Sequence, residues 1–216
     1  MSHPEHKKRS VGRPKDSSAD AARAALITAA STLFSRKGYA ATKISELAAE
    51  AGVTPAMVHY YFGGKEKLLE AVLEEAFDPL IAQIEATKTL DAWAKAFHGH
   101  LLARRWLPHL MQREVLMEGG HLQQLFLERY ASKLAPKWIS MIAAEKAAGR
   151  MRADASEARH MVLIMALLVH PFLIGKIETN LHGGAASEEA LVQFRDDALL
   201  LFREGTKPRS DAGPAQ

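Results

Sequence analysis

Between residues 43 and 62, KISELAAEAGVTPAMVHYYF, apolar and polar positions follow the pattern of two short helices that meet at a sharp turn. Ala48 falls on the apolar side of the first helix, where a small residue lets a second helix cross closely. Four residues on, Gly52 supplies the left-handed backbone that a tight turn needs. Thr54 then caps the second helix, with Pro55 at its first position, where the missing N–H is harmless. Val58 points back at Ala48, and Ile44, Leu47, Val53, Tyr61 and Phe62 complete a shared core. Thr54, Ala56, Met57, His59 and Tyr60 are left facing outward, as a DNA recognition helix requires. An ordinary helical hairpin inside an enzyme would account for any one of these features, but less well for all of them together.

The rest of the chain also has a helical period. A first helix is expected from near Asp20, with Leu26, Ala30, Leu33 and Phe34 on one face and a stop at Gly38. Thr42 is expected to cap the second helix, and Gly63-Gly64 to end the third. A long fourth helix runs from Lys65 to about Lys88, with a kink or break predicted at Pro79. Further helix is predicted over 91–115, interrupted near Pro108, and over 121–148, bent at Pro136 and stopped by Gly149. Asp154 and Glu157 suggest a capping box for a helix that carries MVLIMALLV and reaches about Leu181, before His182-Gly183-Gly184. Ser187 caps a last helix with Leu191, Phe194, Ala198, Leu201 and Phe202 as its apolar positions. No segment sustains a two-residue alternation, so the expected fold is all-α without a sheet.

Composition narrows the classes. At 48% hydrophobic and 25% charged, the 216 residues suit a globular protein with an adequate core. The chain has no cysteine, which excludes disulfides and thiolate metal sites and suits a reducing cytoplasm. The longest uninterrupted apolar run, Met161–Val169, is short for a membrane span, so a buried helix and no membrane partner are expected. The net charge of +3 is unevenly spread: residues 1–67 hold eleven Lys/Arg against six Asp/Glu, the remainder seventeen against nineteen. The positive end is the one that carries the helix-turn-helix, which favours a polyanionic partner there. Residues 1–18 form a polar basic arm that is expected to be disordered. Within it Gly12-Arg13-Pro14 is either a minor-groove hook, with Arg13 in narrow A/T-rich DNA, or part of a solvated tail.

The segment from Ala29 to Leu69 resembles the N-terminal domain of the tetracycline-repressor (TetR) family of bacterial regulators. The resemblance rests on Ala30, Phe34 and Gly38, on Thr42, Ile44 and Ala48, on Gly52 and Val53, and on Tyr61, Phe62, Lys65 and Leu68 or Leu69. It implies a protein of about nine helices: a three-helix head, a linking fourth helix, a ligand-binding body, and a last helix pair that forms a four-helix dimer interface. The expected boundaries are 19–64 for the head, 65–206 for the ligand-binding and dimerisation domain, and 207–216 for a flexible tail. The implied function is a cytoplasmic bacterial repressor, not an enzyme. It would act as a homodimer on double-stranded operator DNA and be released by a small-molecule inducer. Many members carry a tyrosine where this chain has His59 followed by Tyr60, so the phosphate contact there would be weaker or pH-sensitive.

For DNA, Thr42, Lys43 and Thr54 are the expected phosphate contacts at the two helix starts. Ala56, Met57 and His59 are candidates for base edges, Tyr60 and Tyr61 for phosphates, and Lys65 for the backbone. For ligand, Trp93, Phe97, His100, Trp106, Met111, Arg113, Glu114, Met117, Phe126, Tyr130, Met141 and Met165 supply pocket chemistry, although the same residue types build cores. Arg113 and Glu114 are either a solvated pair or a grip on a polar ligand group. His98 and His100 are two apart and so do not share a helix face, no His-Glu-x-x-His motif occurs, and neither metal nor cofactor is expected.

Overall fold

A computed structural model describes residues 16–182 and 187–209, and among them every regular element is a helix. Arg13 and the rest of the expected arm up to residue 15, Gly183-Gly184, and the tail beyond 209 lie outside the described residues. The stripe Leu26, Ala30, Leu33 and Phe34 is buried on the inner face of α1 (Asp16–Lys37). Against it pack α2 (Ile44–Glu50) and the first half of α4 (Lys65–Ala86), with α3 (Pro55–Phe62) held between α2 and α4. Leu47, Ala48 and Val58 of the predicted motif core are at 1% exposure or less, as are Leu68 and Leu69 of α4, while Ile44, Val53, Tyr61 and Phe62 are half-buried around them. Pro79 does not end α4, which runs through it without a break.

The body follows as α5 (Leu90–Ala103), α6 (Leu107–Met111), a wider π turn π1 (Gln112–Leu116), α7 (Gln123–Phe126), a second π turn π2 (Leu127–Ala131), α8 (Ser132–Ala147), α9 (Glu157–His182) and α10 (Glu188–Thr206). With each π turn counted as part of the helix it interrupts, the described residues form nine helical rods. The break expected near Pro108 falls at Arg104–Trp106, and the proline opens α6, where its lost N–H is harmless. The irregularity expected at Pro136 lies one turn upstream, in π2.

The capping box expected from Asp154 and Glu157 does not form. Asp154 pairs with Arg152, Glu157 pairs with Lys146, and Ser156 Oγ accepts the Arg159 N–H at the start of α9. Ser187 caps α10 as expected, accepting from the Ala190 N–H at 3.1 Å. By length and composition, residues 157–175 are apolar enough to cross a membrane, with a mean hydropathy of 1.7, so the apolar stretch is longer than the uninterrupted run suggested. In this fold Met161, Ile164, Leu168 and Phe172 are buried in the body, while Val162 and Leu163 are exposed.

Candidate nucleic-acid interface

The helix-turn-helix owes its shape to a few backbone contacts. Gly52 adopts φ +67°, and the next residue, Val53, returns its N–H to Ala48 O at 2.9 Å, which closes the turn between α2 and α3. Pro55 opens α3 behind Thr54, which is extended and exposed, with a hydroxyl that makes no capping bond. Val58 is fully buried, Tyr61 and Phe62 are half-buried, and Ala56, His59 and Tyr60 face solvent, with Tyr60 81% exposed. Met57, expected at a base edge, is half-buried and packs on the core, so less of it is available to DNA. Tyr61 stands edge-on to Tyr60 at 5.0 Å and also packs on the core.

Two expected DNA contacts are turned inward. Thr42 is buried at 1% exposure and donates its hydroxyl to Gly38 O at 2.8 Å, so it neither caps α2 nor faces a phosphate. Lys43 takes the cap position instead, exposed, with its N–H accepted by Glu46. Lys65 Nζ donates to Tyr39 O and to Thr42 O, both at 2.9 Å, and lies 4.1 Å from the centre of the Tyr39 ring. The amine braces the start of α4 to the loop between α1 and α2.

That loop is also held by the body. Glu114, buried in π1, accepts the Tyr39 N–H on Oε1 at 2.8 Å and faces His121 Nδ1 through Oε2 at 3.1 Å. The His121 ring in turn packs on Tyr39 at 4.3 Å. Gly120 permits this arrangement: a Cβ there would lie 2.4 Å from Glu114 O, the carbonyl that accepts Leu122 N–H. The sequence points to neither Tyr39 nor His121, and Glu114 turns out to be neither half of a solvated pair with Arg113 nor a free ligand grip, because the residues it joins lie up to 75 positions apart.

The structure divides the expected ligand set. Trp93, Phe97, His100, Tyr130 and Met141 are buried, and Trp106, Met111 and Phe126 are half-buried against the same core. Trp93 stacks on Phe97 at 5.4 Å, and Tyr130 lies 5.0 Å from Phe77 of α4. Arg113 and Met117 are instead exposed, Arg113 lying beside Gly38, and Met165 belongs to a different face. That face is an open apolar hollow of about 860 Å³ along α9 and α10, with Val162, Leu163, Phe194 and Leu201 exposed on it. A second cavity of about 650 Å³, which the sequence did not suggest, lies where α5 starts and α8 and α10 end, with Asp91, Arg150 and Arg203 at its rim. Burial pushes His98 and His100 down to about 4, helped by Arg195 and Arg104 respectively, so both are neutral imidazoles near pH 7.

Residues 26–72 match the profile described as bacterial regulatory proteins, tetR family. The head is a tetR-family head. Among curated proteins, the chain is 34% identical over 108 residues to the HTH-type transcriptional repressor Rv3405c of Mycobacterium tuberculosis, a match covering 48% of this chain and 52% of that protein. It is 39% identical over 71 residues to the HTH-type transcriptional regulator BetI of Rhizobium meliloti, covering 31% and 35%. The chain thus spans about half the length, or less, of these curated relatives. Both relatives are named for transcriptional control rather than for an enzyme activity.

Likeness to solved structures extends over the body. The fatty acid degradation regulator FadR from Bacillus halodurans superposes with a TM-score of 0.66 at 17% identity, over 87% of this chain and 97% of that one. SmeT, the repressor of the Stenotrophomonas maltophilia multidrug efflux pump SmeDEF, gives 0.59 at 17%, over 90% and 94%. At these identities the likeness establishes the shared all-α fold alone.

Proposed function

We propose that the chain is a ligand-responsive transcriptional repressor, acting in the bacterial cytoplasm as a homodimer on a palindromic operator and released by a small-molecule inducer. The observation that carries the reading is α3, a short helix anchored by Val58 whose Ala56, His59 and Tyr60 face solvent behind an exposed Thr54. A helix laid in the major groove contacts base edges with its N-terminal residues. The Ala56 methyl suits a thymine methyl, His59 can hydrogen-bond a purine, and Lys43 and Tyr60 suit phosphates. α3 has no arginine, so the commonest guanine contact is missing and methyl contacts weigh more.

The apolar hollow on α9 and α10 supports a twofold dimer. Phe194, Leu201, Val162 and Leu163 are exposed together on neighbouring helices, as expected of a face that a second copy covers. Release then follows from the Glu114 bond to Tyr39: a ligand that shifts π1 moves the support of the head. Two recognition helices must match major grooves about 34 Å apart, so a small tilt puts both out of register. A preference of a few kcal/mol for the non-binding state is enough to empty the operator.

The test is selection from a random-sequence duplex pool with the full chain, with oligomeric state measured by light scattering. A twofold-symmetric consensus that weakens with salt, bound by a dimer, is expected. Enrichment without a consensus, or a monomer that binds the consensus equally well, would overturn the reading.

A further inference from the structure

The aromatic core of the body carries polar atoms that nothing around them uses. Trp93 Nε1, Trp138 Nε1 and the Tyr130 hydroxyl are buried, and none has a hydrogen-bond partner among the described residues. Trp93 and Tyr130 are at 1% exposure or less. Trp138 stands edge-on to Trp93 at 6.2 Å, and Phe77 of α4 lies 5.0 Å from Tyr130. Trp93 and Trp138 therefore bring two of these donors together where α5 meets α8, and Tyr130 sets the third beside α4.

Their chemistry is one-sided. An indole N–H only donates. Burial pushes the Tyr130 phenol up to about 12, so it stays protonated, and the nearby Asp78 carboxylate, which adds to that rise, would compete with a ligand oxygen for its proton. Among the described residues the one buried carboxylate is Glu114, which is taken up by Tyr39 and His121, and no lysine or arginine is buried. Arg129, 5.6 Å from the Tyr130 ring, is already paired with Glu74, so a charged ligand would lose its hydration here without gaining a free counter-charge. Rings on the walls favour a flat apolar body, and unpaired donors favour acceptor oxygens at its edge. Tyr130 lies in π2, a widened turn with slack to let α8 move away from α4.

Resting on the ligand-responsive reading above, we propose that the inducer is a neutral, planar aromatic compound bearing carbonyl or ether oxygens. It enters between α4, α5 and α8 and accepts hydrogen bonds from Trp93, Trp138 and Tyr130.

The test is titration calorimetry of the full chain with 9-fluorenone and with fluorene, which has the same rings without the carbonyl. Decanoate and dodecyltrimethylammonium serve as charged comparisons. One fluorenone per chain is expected, bound at least about tenfold more tightly than fluorene, as one gained hydrogen bond implies. Tyr130→Phe or Trp138→Phe, which keep a ring and remove a donor, should narrow that ratio to about threefold or less and leave fluorene binding unchanged. The proposal falls if fluorenone does not bind, if fluorene binds as well, if both variants keep the parent ratio, or if a charged probe binds more tightly. Anisotropy with the selected duplex separates the two claims. If decanoate and not fluorenone releases the duplex, the ligand class is wrong and ligand response stands. If no consensus duplex exists, the repressor reading falls, and the fluorenone-to-fluorene ratio still decides the ligand class.

Discussion

Head and body differ in how fully they satisfy their buried polar atoms. In the head Ser31, Ser35 and Thr42 are buried, and each hydroxyl donates to a carbonyl of its own segment. In the body Trp93, His98, His100, Tyr130 and Trp138 each bury a side-chain atom without a hydrogen-bond partner, and no head residue joins that group among those described. Both π turns also lie in the body. A satisfied polar network fixes one arrangement, whereas unsatisfied donors leave the packed state open to competition from a ligand-filled one. The head is built to hold a shape and the body to change one.

The largest effect that would sharpen this contrast is that of pH. His98 and His100 titrate near 6.5 when unfolded but stay neutral in the fold down to about 4. The unfolded chain therefore binds the extra protons between those values. Stability is at its full value above pH 6.5 and is lost as pH falls toward 4, by about 1.4 kcal/mol per pH unit for each histidine. All three tryptophans lie in the body, so their fluorescence in urea melts reads this loss. Equal midpoints at pH 7 and pH 5 would mean that the histidines are not buried as described.

Breaking the bond between the two regions comes next. Glu114→Ala removes the acceptor of the Tyr39 N–H and should destabilise by about 2 kcal/mol. Glu114→Gln, which keeps an acceptor, should recover about half of that. Hydrogen exchange at the Tyr39 amide should rise before exchange elsewhere in α1, and an unchanged rate would show that the bond does not hold the head. The smallest effects form a pair. Thr42→Val should remove about 1 kcal/mol, because Gly38 O loses its donor. Tyr130→Phe should change stability by less than about 0.5 kcal/mol, or raise it, because its hydroxyl has no partner to lose. Equal losses from the two would erase the contrast.

Legibility in the sequence followed the range of each contact. The turn at Gly52, the capping at Ser187 and the stripe along α1 depend on residues within a few positions of one another, and all three are observed. Local readings failed where a neighbour offered an equally good partner. Thr42 turns back to Gly38 and leaves the cap position to Lys43, and Ser156 caps α9 while Asp154 and Glu157 pair with Arg152 and Lys146. Lys65 reaches carbonyls 23 and 26 residues away, and Glu114 an amide 75 away, distances at which residue type carries no signal of pairing. In the body, Met165 and Trp93 both read as pocket residues but lie on opposite sides of the question: one on the open α9–α10 face, the other in the closed core.

The claim on which the rest depends is that the exposed face of α3 reads DNA. The direct measurement is the affinity of the His59→Ala/Tyr60→Ala double variant for the selected duplex, set against the parent by fluorescence anisotropy at one salt concentration. Both side chains are exposed, so the thermal midpoint should stay close to that of the parent. Loss of one base-edge contact and one phosphate contact should weaken binding by about tenfold or more. A folded variant that binds the duplex as tightly as the parent would contradict the account.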